Sequence, residues 1–306
     1  MTHLTTVAGS LPVGVVGVAE AHGHLWIDAP VAGAPTLTDG QAAATELALF
    51  GAAGGALVVD CQPGGCGRDG RVLARLSAQS GVTVVAATGF HLRRYYTMAP
   101  GTWTLGGEDA ARAFARELTE GLAEAPGIRA GVVKAAWTGE GGRGEDLMRA
   151  ALTAARVTDR GLIVHTEAGA RVEALPRLVE EVGVSPGRVQ LSHVDKRPDA
   201  GLHRELARAG YMLGYDTFLR PKYEPERGVW PLLRAMIDDG LWRQITLGLD
   251  IVDVDLWAAR GGPGLRAIPL AIIARLRRDG VGEGVVRALG GGNVARLLAA
   301  PPEEVW

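Results

Sequence analysis

The sequence predicts an α/β fold, a (β/α)8 TIM barrel. Three observations predict it. Eight short apolar runs recur, each about five residues long. Stretches with helical spacing lie between most of them, and glycines sit where a helix would hand over to a strand. Near-continuous apolar runs are what strands covered on both faces look like, whereas a doubly wound sheet usually has fewer strands.

The elements follow in order. Val15–Ala19 runs into His22 as the first strand, and Thr38–Leu49 is the first helix. Ala56–Asp60, helix Arg68–Gln79 and Thr83–Thr88 come next. Helix Gly107–Glu120 precedes Gly131–Ala135, and helix Glu145–Arg156 precedes Leu162–His165. Helix Arg171–Glu181 leads to Val189–His193, and helix Ala200–Ala209 leads to Tyr211–Tyr215. Helix Val229–Asp238 precedes the eighth strand, Ile245–Asp250. Gly81, Gly161, Gly183 and Gly210 read as helix stops, because glycine accepts the left-handed backbone that ends many helices. Leu265–Leu298 reads as one or two helices closing the barrel. No composition shift or linker divides the chain, so residues 1–306 are expected to form a single domain.

Composition narrows the function classes. Apolar residues are 47% and charged residues 22%, enough for a sizeable core without staples. The net charge is −2, with no basic run, which argues against a nucleic-acid or membrane-surface partner. Two cysteines, Cys61 and Cys66, cannot build a disulfide scaffold and read as reduced thiols of a cytoplasmic protein. The longest charge-free apolar stretches, near Val7–Ala19 and Leu47–Val59, fall short of the roughly 18–20 residues of a membrane span. Val7–Ala19 has some likeness to a signal-peptide core, but it lacks a basic flank and Pro12 interrupts it.

A barrel should carry its functional residues at the C-terminal ends of its strands. Strand one ends in His22-Gly23-His24, and strand four carries Lys134. Strand five ends at His165, strand six at His193 and strand eight at Asp250. Residues two apart on a strand face one way, so His22 and His24 can grip one ion. Imidazole suits zinc and similar divalent metals, and a carboxylate balances charge. Four histidines, a lysine and an aspartate exceed one tetrahedral zinc and fit two ions sharing a bridge. An ammonium at Lys134 would repel metals, but a buried lysine is readily neutral. A neutral amine adds carbon dioxide to give a carbamate, an anionic bidentate bridge. Any one of these residues alone reads more simply as a core histidine, a snorkelling lysine or a turn aspartate. His3 and His203 read as surface residues, and Cys61 as a small packing residue.

This pattern resembles the amidohydrolase superfamily and, within it, the phosphotriesterase family. The resemblance runs nearly end to end. It includes Asp60, Gly67-Arg68-Asp69, Ala87-Thr88-Gly89-Phe90, Val164-His165-Thr166 and Asn293-Val294-Ala295-Arg296. Gly23 stands where the family often has glutamate, and Val294 where it has proline. The resemblance implies that His22, His24 and Asp250 hold the more buried metal, and His165 and His193 the more exposed one. Carboxylated Lys134 and a hydroxide would bridge the two ions, which would be zinc, or else manganese or cobalt. The hydroxide would attack an acyl or phosphoryl centre, and Asp250 would be the catalytic proton carrier.

Substrate choice falls to the loops. Gly89–Tyr96 with Trp103, Asp216–Tyr223 and Trp257–Gly264 resemble the branch that hydrolyses γ-lactones of sugar acids, phosphorylated aldonolactones among them. His91, Arg94, Tyr96, Arg220, Lys222, Tyr223 and Arg260 are the candidate substrate contacts, since such groups can hold phosphate or carboxylate. The bland alternative is that these loop cations form solvated ion pairs. Lys196 or Arg197 could also reach the rim. The leading expectation is thus a binuclear-metal hydrolase opening a polar sugar-acid γ-lactone, with or without a phosphate. A phosphotriesterase or acyl-homoserine lactonase with the same metals is the alternative, and a silent binding protein on the barrel is the remote one. The resembling family is often dimeric, and Trp103–Leu105 reads as an exposed apolar strip that could serve a homodimer interface.

Overall fold

The computed structural model describes residues 2–300, with only the backbone of Val15. A hairpin, β1 (His3–Thr6) and β2 (Gly9–Pro12), comes first. The barrel strands then begin with β3 (Val18–Gly23), β4 (Gly55–Asp60) and β5 (Thr83–Gly89). A second small hairpin, β6 (Gly121–Leu122) and β7 (Ala125–Pro126), interrupts them. The barrel resumes with β8 (Val132–Trp137), β9 (Leu162–Thr166), β10 (Val189–Ser192), β11 (Met212–Tyr215) and β12 (Ile245–Leu247). The eight barrel strands pair in chain order, every pair parallel, from β3 round to β12. The chain folds as a (β/α)8 barrel.

Helices α1 (Gly40–Ala52), α2 (Gly70–Ser80), α3 (Gly107–Thr119), α4 (Gly142–Thr158), α5 (Leu175–Val182), α6 (Ala200–Arg208) and α7 (Val229–Asp238) lie between the strands. Asp39, Asp69 and Asp199 cap α1, α2 and α6 by accepting backbone N–H bonds, which satisfies donors left over at a helix start. The tail differs from expectation. It breaks into α8 (Ala274–Arg278), entered through a π-turn at Ile268–Ile273, then α9 (Glu283–Arg287) and α10 (Asn293–Leu298). The break before α10 falls at Gly291, whose added Cβ would lie 2.0 Å from the Gly17 carbonyl oxygen.

Side-chain alternation sorts the strands into two cores. Leu57, Val59, Val85, Val132, Ile163 and Met212 point into the barrel, where Leu4 of the hairpin and Leu297 of α10 plug the floor. Val58, Val84, Val133 and Val164 point outward against the helices. The same alternation sends Lys134 and His165 inward, above Val132 and Ile163. Gly81, Gly183 and Gly210 have the expected left-handed backbone. Gly161 does not, because Asp159 takes that role at the end of α4 (φ 48°); Gly161 is needed instead because a Cβ would meet the Leu297 carbonyl at 2.5 Å.

Candidate metal centre and active site

Strand β3 ends at Gly23 and delivers His22 and His24 to the barrel mouth, both buried. The β3–β4 ladder is irregular between Glu20 and Gly23, so simple strand alternation does not place this pair. Buried Asp60 places the second histidine: its carboxylate accepts the Leu25 and Gln62 amides at 2.7 and 3.1 Å and fixes the backbone after His24. Nε2 of His22 and of His24 lie 3.9 and 3.5 Å from Oδ1 of Asp250. Donor atoms bound at 2 Å to one tetrahedral ion stand roughly 3.3 Å apart, so this trio is close to an ion-binding spacing. Lys134 Nζ lies 2.8 Å from His22 Nε2, fully buried, and burial pulls its pKa below the ordinary lysine value. An amine so placed is biased toward its neutral form, the form that can add carbon dioxide. The buried Nδ1 atoms of His22 and His24 have no protein partner. Borderline nitrogen donors, one carboxylate and a neutral amine suit a divalent metal.

His193 follows β10 and stacks between His22 and His165, with ring centroids 4.7 and 4.8 Å away. Its Nδ1 lies 2.6 Å from Oδ2 of Asp216, at the end of β11. That spacing is too short for both atoms to ligate one ion, although His22, His193 and Asp216 cluster closely enough to suggest it. Asp216 is better read as the carboxylate that holds His193 in one tautomer and leaves Nε2 free as a ligand. Burial pushes the Asp216 carboxyl up to about 7, and Asp195 beside it likewise. Asp195 in turn accepts the Asp216 and Thr217 amides and the Thr217 hydroxyl, which orders this stretch. His165 is engaged differently: its Nε2 lies 3.1 Å from Glu167, which also pairs with Arg94. His165 must exchange that contact to hold an ion through Nε2.

The backbone is strained at two of these positions. His193 and Asp250 both have left-handed φ, 67° and 49°, uncommon for residues with a side chain and frequent at functional sites. Arg220 Nη2 donates to the Asp250 backbone carbonyl and lies 3.1 Å from its Oδ2. Lys196 Nζ is 4.0 Å from the same oxygen. The two carboxylate oxygens therefore face different groups, Oδ1 toward His22 and His24 and Oδ2 toward Arg220, Lys196 and, at 3.8 Å, His193 Nδ1.

A cavity of about 100 Å³ opens over this cluster, lined by His22, His24, His91, His165 and Asp250 below. Of the proposed substrate contacts only His91 lines it. Tyr96 is turned inward, its hydroxyl accepting the His91 amide at 2.9 Å, and Tyr95 lines the cavity instead. Arg94 is exposed and paired with Glu167, and Arg260 is paired with Asp39. Lys222 and Tyr223 stack on each other beside Lys196, with Lys222 Nζ 4.9 Å from the ring centre. Trp103, expected to be exposed, is half-buried against Phe90, and its indole N–H donates to the His91 carbonyl. His203, expected at the surface, is fully buried. Its imidazole meets the Tyr215 hydroxyl at 2.8 Å and the Val194 carbonyl at 3.1 Å. Both cysteines are buried and free, with thiols pushed up to about 12 by burial.

The matching family model is that of the phosphotriesterase family, over residues 2–298. The chain belongs to the phosphotriesterase family. It is therefore a hydrolase, of a family that works with a binuclear metal centre. Within the family, the chain is 28% identical over 273 residues to a protein of Mycoplasmopsis synoviae named phospho-furanose lactonase, covering 80% of this chain and 75% of that one. It is 30% identical over 234 residues to the phosphotriesterase homology protein of Mycobacterium tuberculosis, 71% of each chain. The crystal structure of a lactonase from Listeria monocytogenes superposes with a TM-score of 0.91 at 21% identity, covering 98% of this chain and all of that one.

Three supports of this phosphotriesterase-family site have roles that only the fold shows. In sequence Asp216 reads only as the first residue of the loop after β11. Glu46 of α1, fully buried, accepts the Ala259 and Leu265 amides at 3.0 and 2.6 Å and so anchors the loop after β12. Arg68 donates to Glu117, Glu124 and the Ala87 carbonyl, at 2.6 to 2.8 Å, and braces the end of β5. Gly89, next in that strand, is obligatory: φ is 104°, and a Cβ would sit 1.9 Å from the Lys134 carbonyl oxygen.

Proposed function

We propose that the chain is a metal-dependent lactonase that opens a compact, polar sugar-acid γ-lactone, with a phosphorylated furanose lactone as the leading substrate. The observation that supports it most is the placing of Asp250 in the lining of the cavity, with Oδ1 beside His22 and His24 and Oδ2 beside Arg220, Lys196 and His193. His22, His24, Lys134 and Asp250 would hold one divalent ion, and His165 and His193 the other, with Lys134 as its carbamate between them. Zinc is the default, and such ions acidify water and polarise an ester carbonyl. Asp250 takes the proton of the attacking water and returns it to the departing ring oxygen. Asp216 keeps His193 in the ligating tautomer throughout. Lys196, Arg220 and Lys222, with Tyr223, put positive charge on the β10–β11 side of the mouth, where an anionic arm of the substrate would rest.

The name of the Mycoplasmopsis synoviae relative supports the phosphorylated furanose choice. A pH-drop hydrolysis assay tests the reading. The metal-loaded protein is offered aldono-1,4-lactones, their 5-phosphates, acyl-homoserine lactones and an aryl phosphotriester. Turnover confined to sugar lactones supports it, and turnover of only the acyl lactones or the triester overturns it.

A further inference from the structure

One wall of the cavity is apolar. Ile27, Ala29, Ala34 and Pro35 of the segment after β3 form it, with Val252 from the loop after β12. This wall is held in place before any ligand arrives. Ile27 and Leu37 exchange both backbone hydrogen bonds, at 3.0 and 2.9 Å, which closes the segment between them as a loop. The Asp28 amide donates to the Gly67 carbonyl and ties the loop to the next strand's turn. The nearest polar side chains are already engaged. The Gln62 amide nitrogen donates to the Cys66 carbonyl and lies 3.3 Å from its sulfur, and the Cys66 thiol donates to the Pro63 carbonyl. A hydroxyl turned toward this wall loses water and finds no partner.

We infer that the Ile27–Pro35 wall makes the site selective for a deoxy-lactone, one whose ring edge against that wall carries hydrogen in place of a hydroxyl. The inference rests on the lactonase reading and sharpens it. The β10–β11 cations then take the charged arm, and the wall takes a bare C–H edge. An apolar pocket rejects an added hydroxyl by about 10- to 100-fold, and that is the size of the preference expected.

The test compares kcat/KM of the metal-loaded protein for an aldono-1,4-lactone and for its 2-deoxy and 3-deoxy analogues. One deoxy analogue should exceed the parent by at least about 10-fold. Ile27→Thr and the milder Ala34→Ser should each shrink that ratio. A ratio taken on one preparation does not depend on how much of the variant is folded. A parent lactone as good as both analogues overturns the inference and leaves the lactonase reading standing. A preference that neither variant moves overturns its assignment to this wall. No turnover of any lactone overturns the reading and the inference together.

Discussion

The amide of Asp250 donates to the carbonyl of His22 across 3.0 Å. The contact spans the seam of the barrel, for among the described residues β3 and β12 share no ladder. Glu20 reinforces it: one carboxylate oxygen accepts the His22 amide at 2.8 Å and the Leu249 amide at 3.1 Å. Burial pushes this carboxyl up to about 8. Two proposed ligands of one ion are thus also the residues that join the first strand to the last.

Asp250→Asn removes the proposed proton carrier but keeps an oxygen donor and the seam amide. The expected outcome is near-normal metal content with kcat reduced by roughly 10²–10⁴-fold, the usual range for lost acid–base catalysis. Metal analysis beside steady-state kinetics checks it, and an Asn variant that kept full activity would remove Asp250 from the proton path.

Lys134→Ala would delete the proposed bridging carbamate. Bound metal and activity should both fall, and millimolar acetate or propionate should restore part of each, because a free carboxylate can occupy the vacated bridge. Metal stoichiometry with and without the acid decides the point. A variant that retained two ions unaided would exclude the bridge.

Asp216→Asn leaves the shape of the His193 pocket but takes the negative charge from its Nδ1. Outer partners of metal-bound histidines typically matter by about 10- to 100-fold in affinity. A chelator titration should show one of two ions released at correspondingly lower chelator, and the other held as in the parent.

The Arg68 brace predicts acid sensitivity. Burial raises the Glu117 pKa, but the Arg68 hydrogen bonds outweigh it and hold the carboxyl below its ordinary value. A carboxylate depressed in the folded state stabilises the fold above its unfolded pKa of about 4.3, and that contribution is lost as pH falls through the folded value. Urea unfolding from pH 6 down to 3 should show stability falling through this window, less steeply in Glu117→Gln. Arg68→Met should cost about 3–5 kcal/mol at neutral pH, since it strands two carboxylates beside the barrel.

The strands and the helices between them were legible because parallel barrels write both-face burial into short apolar runs. The His22-Gly23-His24 and strand-eight Asp250 placements follow from that pattern together with the family likeness. Partners far apart in sequence were not legible. Glu46 meets the β12 loop more than 200 residues away, and nothing local in α1 marks it as an anchor. His203 has helical spacing like any surface residue, and only the Tyr215 hydroxyl opposite shows why it is inside. The choice between Tyr95 and Tyr96 turns on a tight turn at Arg93–Tyr95, where one residue's rotation swaps inside for outside. The loop cations looked available in sequence because their partners, Glu167 and Asp39, lie on other loops.

The seam has a further consequence for how the protein is made. The residues it joins, Glu20 and Leu249, are 229 apart in the chain. A ribosome releases the first histidines long before Asp250 exists, so a nascent or truncated chain presents imidazoles without the carboxylate that completes their set. Contacts of such long range form late and slowly. On the proposed ligand set, tight metal uptake would then mark a full-length chain, and a shortened one would lack the Asp250–His22 clasp.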